Sequence, residues 1–180
     1  MKDKLFEGLQ KMGKTFMLPI ALLPVAGLLL GIGSSFTGES FVGLYDLEWL
    51  LGEGTILYGI LTVLKDCGTI IFDNLPLLFA VGVALGMAKA AKEVAALSAV
   101  VAYLMMYASL TSSITNFGSI ETLQQTPGLI GSVLGFETTM NTGVFGGIIM
   151  GLVVATLHNR YYKIELPDAL SFFSGTRFIP

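Results

Sequence analysis

Apolar residues come along this chain in long runs, and the polar stretches between them are short. Residues 16–32, FMLPIALLPVAGLLLGI, carry no charge. A membrane-crossing helix takes about 20 mostly apolar residues, so this run is close to a full span, and Pro19 and Pro24 are tolerated in such helices. Residues 94–114 and 142–158 repeat the pattern and predict two further spans. Residues 55–88 are different. Their apolar stretches are interrupted by Lys65, Asp66, Asp73, Asn74 and Pro76, which predicts two helical pieces broken at DNLP. Ahead of the first span, Leu5, Phe6, Leu9 and Met12 recur at helical spacing among Lys2, Lys4, Lys11 and Lys14. That spacing predicts a short amphipathic helix on a membrane surface. Residues 33–54 read as an acidic loop with Glu39, Asp46, Glu48 and Glu53, and with Trp49 as an interfacial anchor. Residues 115–141 read as a polar loop carrying Glu121 and Glu137.

Composition sharpens this picture. The chain has 180 residues, of which 53% are hydrophobic and only 13% charged, with a mean hydropathy of +0.76. Soluble domains are about a quarter charged, so these few charges cannot cover a globule of this size. The expected fold is an all-α, polytopic transmembrane helical bundle of four to five hydrophobic segments. Residues 1–15 form its cytoplasmic amphipathic helix and residues 16–180 its membrane part. No basic patch interleaved with aromatics points to nucleic acid. One cysteine, Cys67, and one histidine, His158, exclude an internal disulfide and a zinc site of ordinary ligand count.

The placement of cations gives an orientation. Four lysines precede the first span, Lys89 and Lys92 precede the run at 94–114, and Arg160 and Lys163 follow the last run. The stretches 33–54 and 115–141 contain no Lys or Arg. The positive-inside rule then sets the N-terminus in the cytoplasm, provided 55–88 makes one net crossing. The pattern leaves the number of crossings by 55–88 open.

Several motifs bear on chemistry. GLQKMGKT at 8–15 fits the P-loop pattern letter by letter, but a P-loop needs a strand before it and a helix N-terminus after it. The mixed-charge start of this chain offers no such strand, which leaves a basic membrane-surface helix. Lys65 and Asp66 either mark a pathway through the membrane or snorkel to an interface. Asp73 and Asn74 offer polar groups at a helix break, as transporter sites do, or simply form a capped turn. His158 is expected in a headgroup belt with Asn159, Arg160, Tyr161 and Tyr162, and Cys67 as a buried small residue. Thr176 and Arg177 either border a substrate or phosphoryl path, or supply a cytoplasmic positive charge. Gly143, Gly147 and Gly151, together with Gly82 and Gly86, recur every four residues and let helix backbones approach closely. Their faces serve either packing within one bundle or a contact with another chain. No set of residues supports acid–base or nucleophilic catalysis, and no cofactor or metal is implied.

Four stretches carry a family resemblance: LQKMGKTFMLPIALLPVAGLLLGIGS, LPLLFAVGVALGMAK, VAALSAVVAYLMM and TGVFGGIIMGLVVATLHNRYYKIELPDALSFFSGTRFIP. In order and spacing they resemble the membrane domain, EIIC, of the glucose-superfamily sugar phosphotransferase permeases. LPDALSFFSGTRFIP and GKTFMLPIALL look closer to maltose or α-glucoside members, since glucose members usually carry Lys where Thr176 stands. The resemblance implies group translocation: a sugar crosses the bacterial inner membrane and receives a phosphoryl group from a cysteine of an EIIB partner. EIIA and the phosphocarrier HPr stand upstream, and such domains are homodimers. In the family the first half builds the dimer scaffold, and a His and a TEP-type Glu of the second half hold the sugar. Neither has a counterpart here, and Cys67 does not match the EIIB cysteine motif. The chain is therefore expected to be the N-terminal part of a permease, ending at residue 180 and without turnover of its own. A competing reading is a self-contained small membrane protein that assembles with partner helices through its glycine faces.

Overall fold

The computed structural model describes residues 2–117 and 128–180, and the side chains of 2–5, 9 and 11 lie outside that description. Its elements in chain order are α1 (Lys2–Thr37), α2 (Glu39–Leu44), α3 (Glu48–Leu51), α4 (Ile56–Asp73), α5 (Leu75–Met87), α6 (Lys92–Phe117), β1 (Ile130–Val133), β2 (Phe136–Met140) and α7 (Gly143–Tyr161). Two 3-10 turns follow, Asp168–Phe173 and Gly175–Phe178. The all-α membrane class holds. Among the described residues, three helices are long and apolar enough to cross a bilayer, with windows of mean hydropathy 2.2 in α1, 1.8 in α6 and 1.2 in α7; α4 and α5, bent by 55° at their break, make up to a fourth if they act as one span.

The break at DNLP lies where the pattern placed it. Asn74 ends α4, its Nδ2 donating to the Ile70 carbonyl at 2.7 Å, and Leu75-Pro76 opens α5. Pro is favoured in a first helical turn because its missing N–H would find no partner there. α5 has 13 residues. At 1.5 Å per residue that is about 20 Å, short of the ~30 Å hydrocarbon layer, so α5 does not cross alone. Among the described residues the count is three, or four where α4 and α5 act as one broken span.

Three expectations are corrected. The amphipathic start and the first span are one helix, α1, because Pro19 and Pro24 leave the helix continuous; residues 8–15 lie inside it, with no strand before them. The supposed loop at 33–54 is largely helical, holding the end of α1 and all of α2 and α3. The supposed loop at 115–141 holds the last turn of α6 and an antiparallel hairpin, with Ile130 opposite Met140 and Val133 opposite Phe136. Leu134 and Gly135 make its two-residue turn, both at positive φ (53° and 83°), as a twisted hairpin demands. Glu137 lies exposed on β2, and Glu121 falls outside the described residues.

The described chain divides into two compact units. In Pro19–Asn74, Val42, Leu51 and Leu61 form a small core with Phe41, Leu47 and Leu64 around it. α1 and α4 approach closely: a Cβ on Gly33 would stand 2.6 Å from the Lys65 Cβ, and one on Gly68 2.7 Å from the Ala26 carbonyl oxygen.

In Met1–Leu18 with Leu75–Pro180, the core is built from small residues. Ala80, Ala84, Ala95 and Ala99 are fully buried. A Cβ on Gly147 would collide with the carbonyl oxygen of Pro76, and one on Gly151 would sit 2.6 Å from that of Ala80. Lipid tails are as apolar as Leu, so helices associate in a bilayer by close packing, and α7 lies directly on the backbone of α5. Thr15 of α1 seats on Gly86 in the same way, and the rings of Phe16 and Phe79 pack edge to face at 5.9 Å.

Gly147→Val is expected to destabilise the fold by about 1–3 kcal/mol, the usual cost of overpacking a tight contact. Gly27→Ala, where an added Cβ meets nothing within 4 Å, is expected to be neutral or mildly stabilising. Thermal unfolding midpoints in one detergent check the pair, and an equal loss in both variants would contradict the assigned contact.

Candidate functional site

The loop between α5 and α6 is four residues, Ala88–Ala91, and Ala91 holds a positive φ of 43°. A side-chain-bearing residue rarely takes that conformation unless its surroundings impose it. Here the end of α7 imposes it. Asn159 accepts from the Lys89 N–H at 2.8 Å and donates through Nδ2 to the Met87 carbonyl at 3.0 Å. His158 stands 2.7 Å from the Ala90 carbonyl through Nε2; a carbonyl only accepts, so Nε2 carries the proton. The His158 ring is 0% exposed and stacks on Tyr162, with centroids 5.8 Å apart. His158 is therefore a buried clasp residue whose ring faces protein rather than headgroups. The seating of α7 on α5 brings its last turns under the loop. Its Nδ1 has no protein partner among the described residues.

At the other end of the same helices a chain of hydroxyls ties α6 to the start of α7. Tyr103 donates to the Tyr107 hydroxyl at 3.4 Å, and the hydroxyls of Tyr107 and Thr142 lie 2.8 Å apart. Both tyrosines are buried among Ala80, Met106, Val133 and Phe136. In a dry interior such hydroxyls need one another, since an unpaired one costs free energy.

The residues singled out in the sequence fall in separate places. Asp73 is exposed at the end of α4 and Asn74 caps that helix. Thr176 and Arg177 share the 3-10 turn Gly175–Phe178. Arg177 donates weakly to the Phe172 carbonyl at 3.4 Å and lies 5.0 Å from the centre of the Phe172 ring. Lys65 and Asp66 are exposed on α4. Cys67 is exposed too, because the inward stripe of α4 runs through Leu61 and Gly68 and Cys67 faces away from it. Gly86, Gly147 and Gly151 meet residues of this same chain, Gly82 is buried within α5, and Gly143 opens α7 at φ 55° with nothing near its Cβ position. Lys65 also borders an open cavity of about 690 Å³ with Glu39, Glu48, Glu53 and Tyr58. Among the described residues, no three His, Cys, Asp or Glu side chains are placed to hold a metal ion.

Comparison with known proteins agrees with this architecture. The family described as Phosphotransferase system, EIIC matches residues 13–180. The chain belongs to that family. It is also similar to the glucose-specific EIICBA component of the phosphotransferase system of Staphylococcus saprophyticus, with 43% identity over 180 residues. The match takes in 100% of this chain and 25% of the relative, so the chain spans about a quarter of that protein's length. As an EIIC chain with several membrane-length helices, it is that of a multi-pass membrane protein.

The sequence reading missed the His158–Asn159 clasp and the Tyr103–Tyr107–Thr142 chain. A signal existed for the clasp: a His-Asn pair about two turns beyond Gly151, the last glycine contact of α7, with a short loop after α5 for it to reach. Asn159→Ala removes the hydrogen bonds to the Met87 carbonyl and the Lys89 amide. It is expected to cost about 1–3 kcal/mol. It should also speed tryptic cleavage after Lys89 in detergent-solubilised protein. Unchanged cleavage would show that the loop holds its shape without the clasp.

Proposed function

We propose that this chain is the opening part of the membrane domain of a sugar permease that works by group translocation. Phosphoenolpyruvate supplies the phosphoryl group through HPr, EIIA and EIIB. The observation that carries the reading is the family match over 13–180 together with the full-chain similarity to a glucose-specific component. The EIICBA relative joins C, B and A components in its name, which supports EIIB and EIIA as the partners here. It also favours glucose over the maltose or α-glucoside substrate that the end of the chain resembles. In the final step the sulfur–phosphorus bond of the EIIB phosphocysteine breaks, a phosphorus–oxygen bond to a sugar hydroxyl forms, and the hydroxyl proton leaves to a base.

In this reading the described residues build scaffold more than they touch sugar. Their interior is apolar and small, and the glycine contacts are used within the chain. A homodimer of the type known in the family then rests on other faces than Gly147 and Gly151. Asp73, Asn74, Thr176 and Arg177 are the residues we assign to the borders of the substrate path. With α4 and α5 as one crossing, Lys89, Lys92, Arg160 and Lys163 fall on the N-terminal side and the acidic stretch between α1 and α4 on the other, a distribution that supports a cytoplasmic N-terminus in the inner membrane.

The test uses membranes from a host without its own glucose and maltose permeases, expressing the whole gene product from which this chain comes. With phosphoenolpyruvate and the purified general components, glucose phosphate should form faster than maltose phosphate. Residues 1–180 alone should form neither. A faster rate with maltose would move the substrate to the α-glucosides, and no phosphorylation of either sugar would overturn the transport reading.

A further inference from the structure

The clasp does more than shape a loop. It gathers cations from two parts of the chain at one end of three helices. Lys89 is fixed through its own main chain to Asn159, Arg160 follows directly, Lys92 opens α6, and Lys163 lies just past the end of α7. All four side chains are exposed. The Arg160 guanidinium and the Lys163 ammonium each lie 5.4 Å from the ring centre of the neighbouring tyrosine, Tyr161 and Tyr162. The carboxylates of Glu93 and Glu165, also exposed, offset half of the positive charge and leave a net of two.

This patch sits where three apolar elements stop together. α5 ends at Met87, α6 begins at Lys92 and α7 ends at Tyr161. That is the level of the headgroup layer, where tyrosines with one apolar and one polar end collect. Basic clusters between membrane helices at this level take anionic headgroups. We propose that Lys89, Lys92, Arg160 and Lys163 form a binding site for the phosphate of an anionic phospholipid. The clasp holds the main chain of Lys89 against Asn159, directly before Arg160, which brings the two cation-bearing segments together before any lipid arrives. An acidic face of a protein partner is the other occupant such charges could take. The position at the ends of the apolar helices favours lipid, which is always present there.

The experiment places the full chain in phosphatidylcholine vesicles. It measures association of spin-labelled phosphatidylglycerol relative to spin-labelled phosphatidylcholine by electron paramagnetic resonance. The wild type should prefer phosphatidylglycerol several-fold. Lys89→Gln and Arg160→Gln should each reduce that preference, by up to about fivefold per cation for a site of this kind. The preference of the wild type should also shrink at 1 M salt, where the screening length is about 3 Å. The salt arm needs no variant and stands even if a substitution impairs folding. Equal association of both lipids with the wild type, or a preference that survives both substitutions, would overturn the proposal. Binding of an acidic protein partner to a chain without lipid preference would assign the patch to that partner instead.

Discussion

At Gly147 and Gly151 there is no side chain between α7 and the main chain of α5. Nothing larger than glycine fits at the first position, where an added carbon would enter the Pro76 carbonyl. In water such a pair of helices could be held by burying large apolar side chains. In a bilayer that drive is absent, and close contact of backbones with well-matched small residues takes its place. The buried alanines of α5 and α6 extend the same solution across the unit.

The polar features of the unit follow from that contact. With α7 seated on α5, its last turns lie beside the α5–α6 loop, and His158 and Asn159 find the Ala90, Lys89 and Met87 main-chain groups. Its first residue position lies beside α6, where Thr142 meets Tyr107. The strained Ala91 is tolerated because hydrogen bonds on the residues before it hold the loop.

Much of the fold was legible in the sequence. The apolar runs gave α1, α6 and α7, and Asp73-Asn74-Leu75-Pro76 gave the α4–α5 break. These signals are local, a run of side chains or a capping residue beside a proline, and local signals survive in a single chain. The hairpin was not legible, since Leu-Gly is a weak turn signal and its first residue takes a left-handed conformation that leucine seldom adopts. Cys67 was misplaced because adjacent residues on a helix differ in direction by about 100°, and an apolar neighbourhood does not say which side is inward. The clasp was missed for a different reason. His158 lies about 70 residues from Ala90, and only the packing of α7 on α5 joins them. Of the glycines spaced every four residues, Gly86, Gly147 and Gly151 have close neighbours in this chain while Gly143 has none, and the spacing alone does not tell them apart. Asp73 and Asn74 lie at a helix end and Thr176 and Arg177 in a 3-10 turn, and their neighbours in sequence do not say what surrounds them.

One face of α7 lies against α5. Disulfide trapping in membranes tests it most directly. In a Cys67→Ser background, cysteines at Ala84 and Val154, which share one buried cluster, should cross-link readily on mild oxidation. Cysteines at Ala84 and Val153, where Val153 is exposed, should not. Equal cross-linking of the two pairs, or faster cross-linking of the second, would contradict the account.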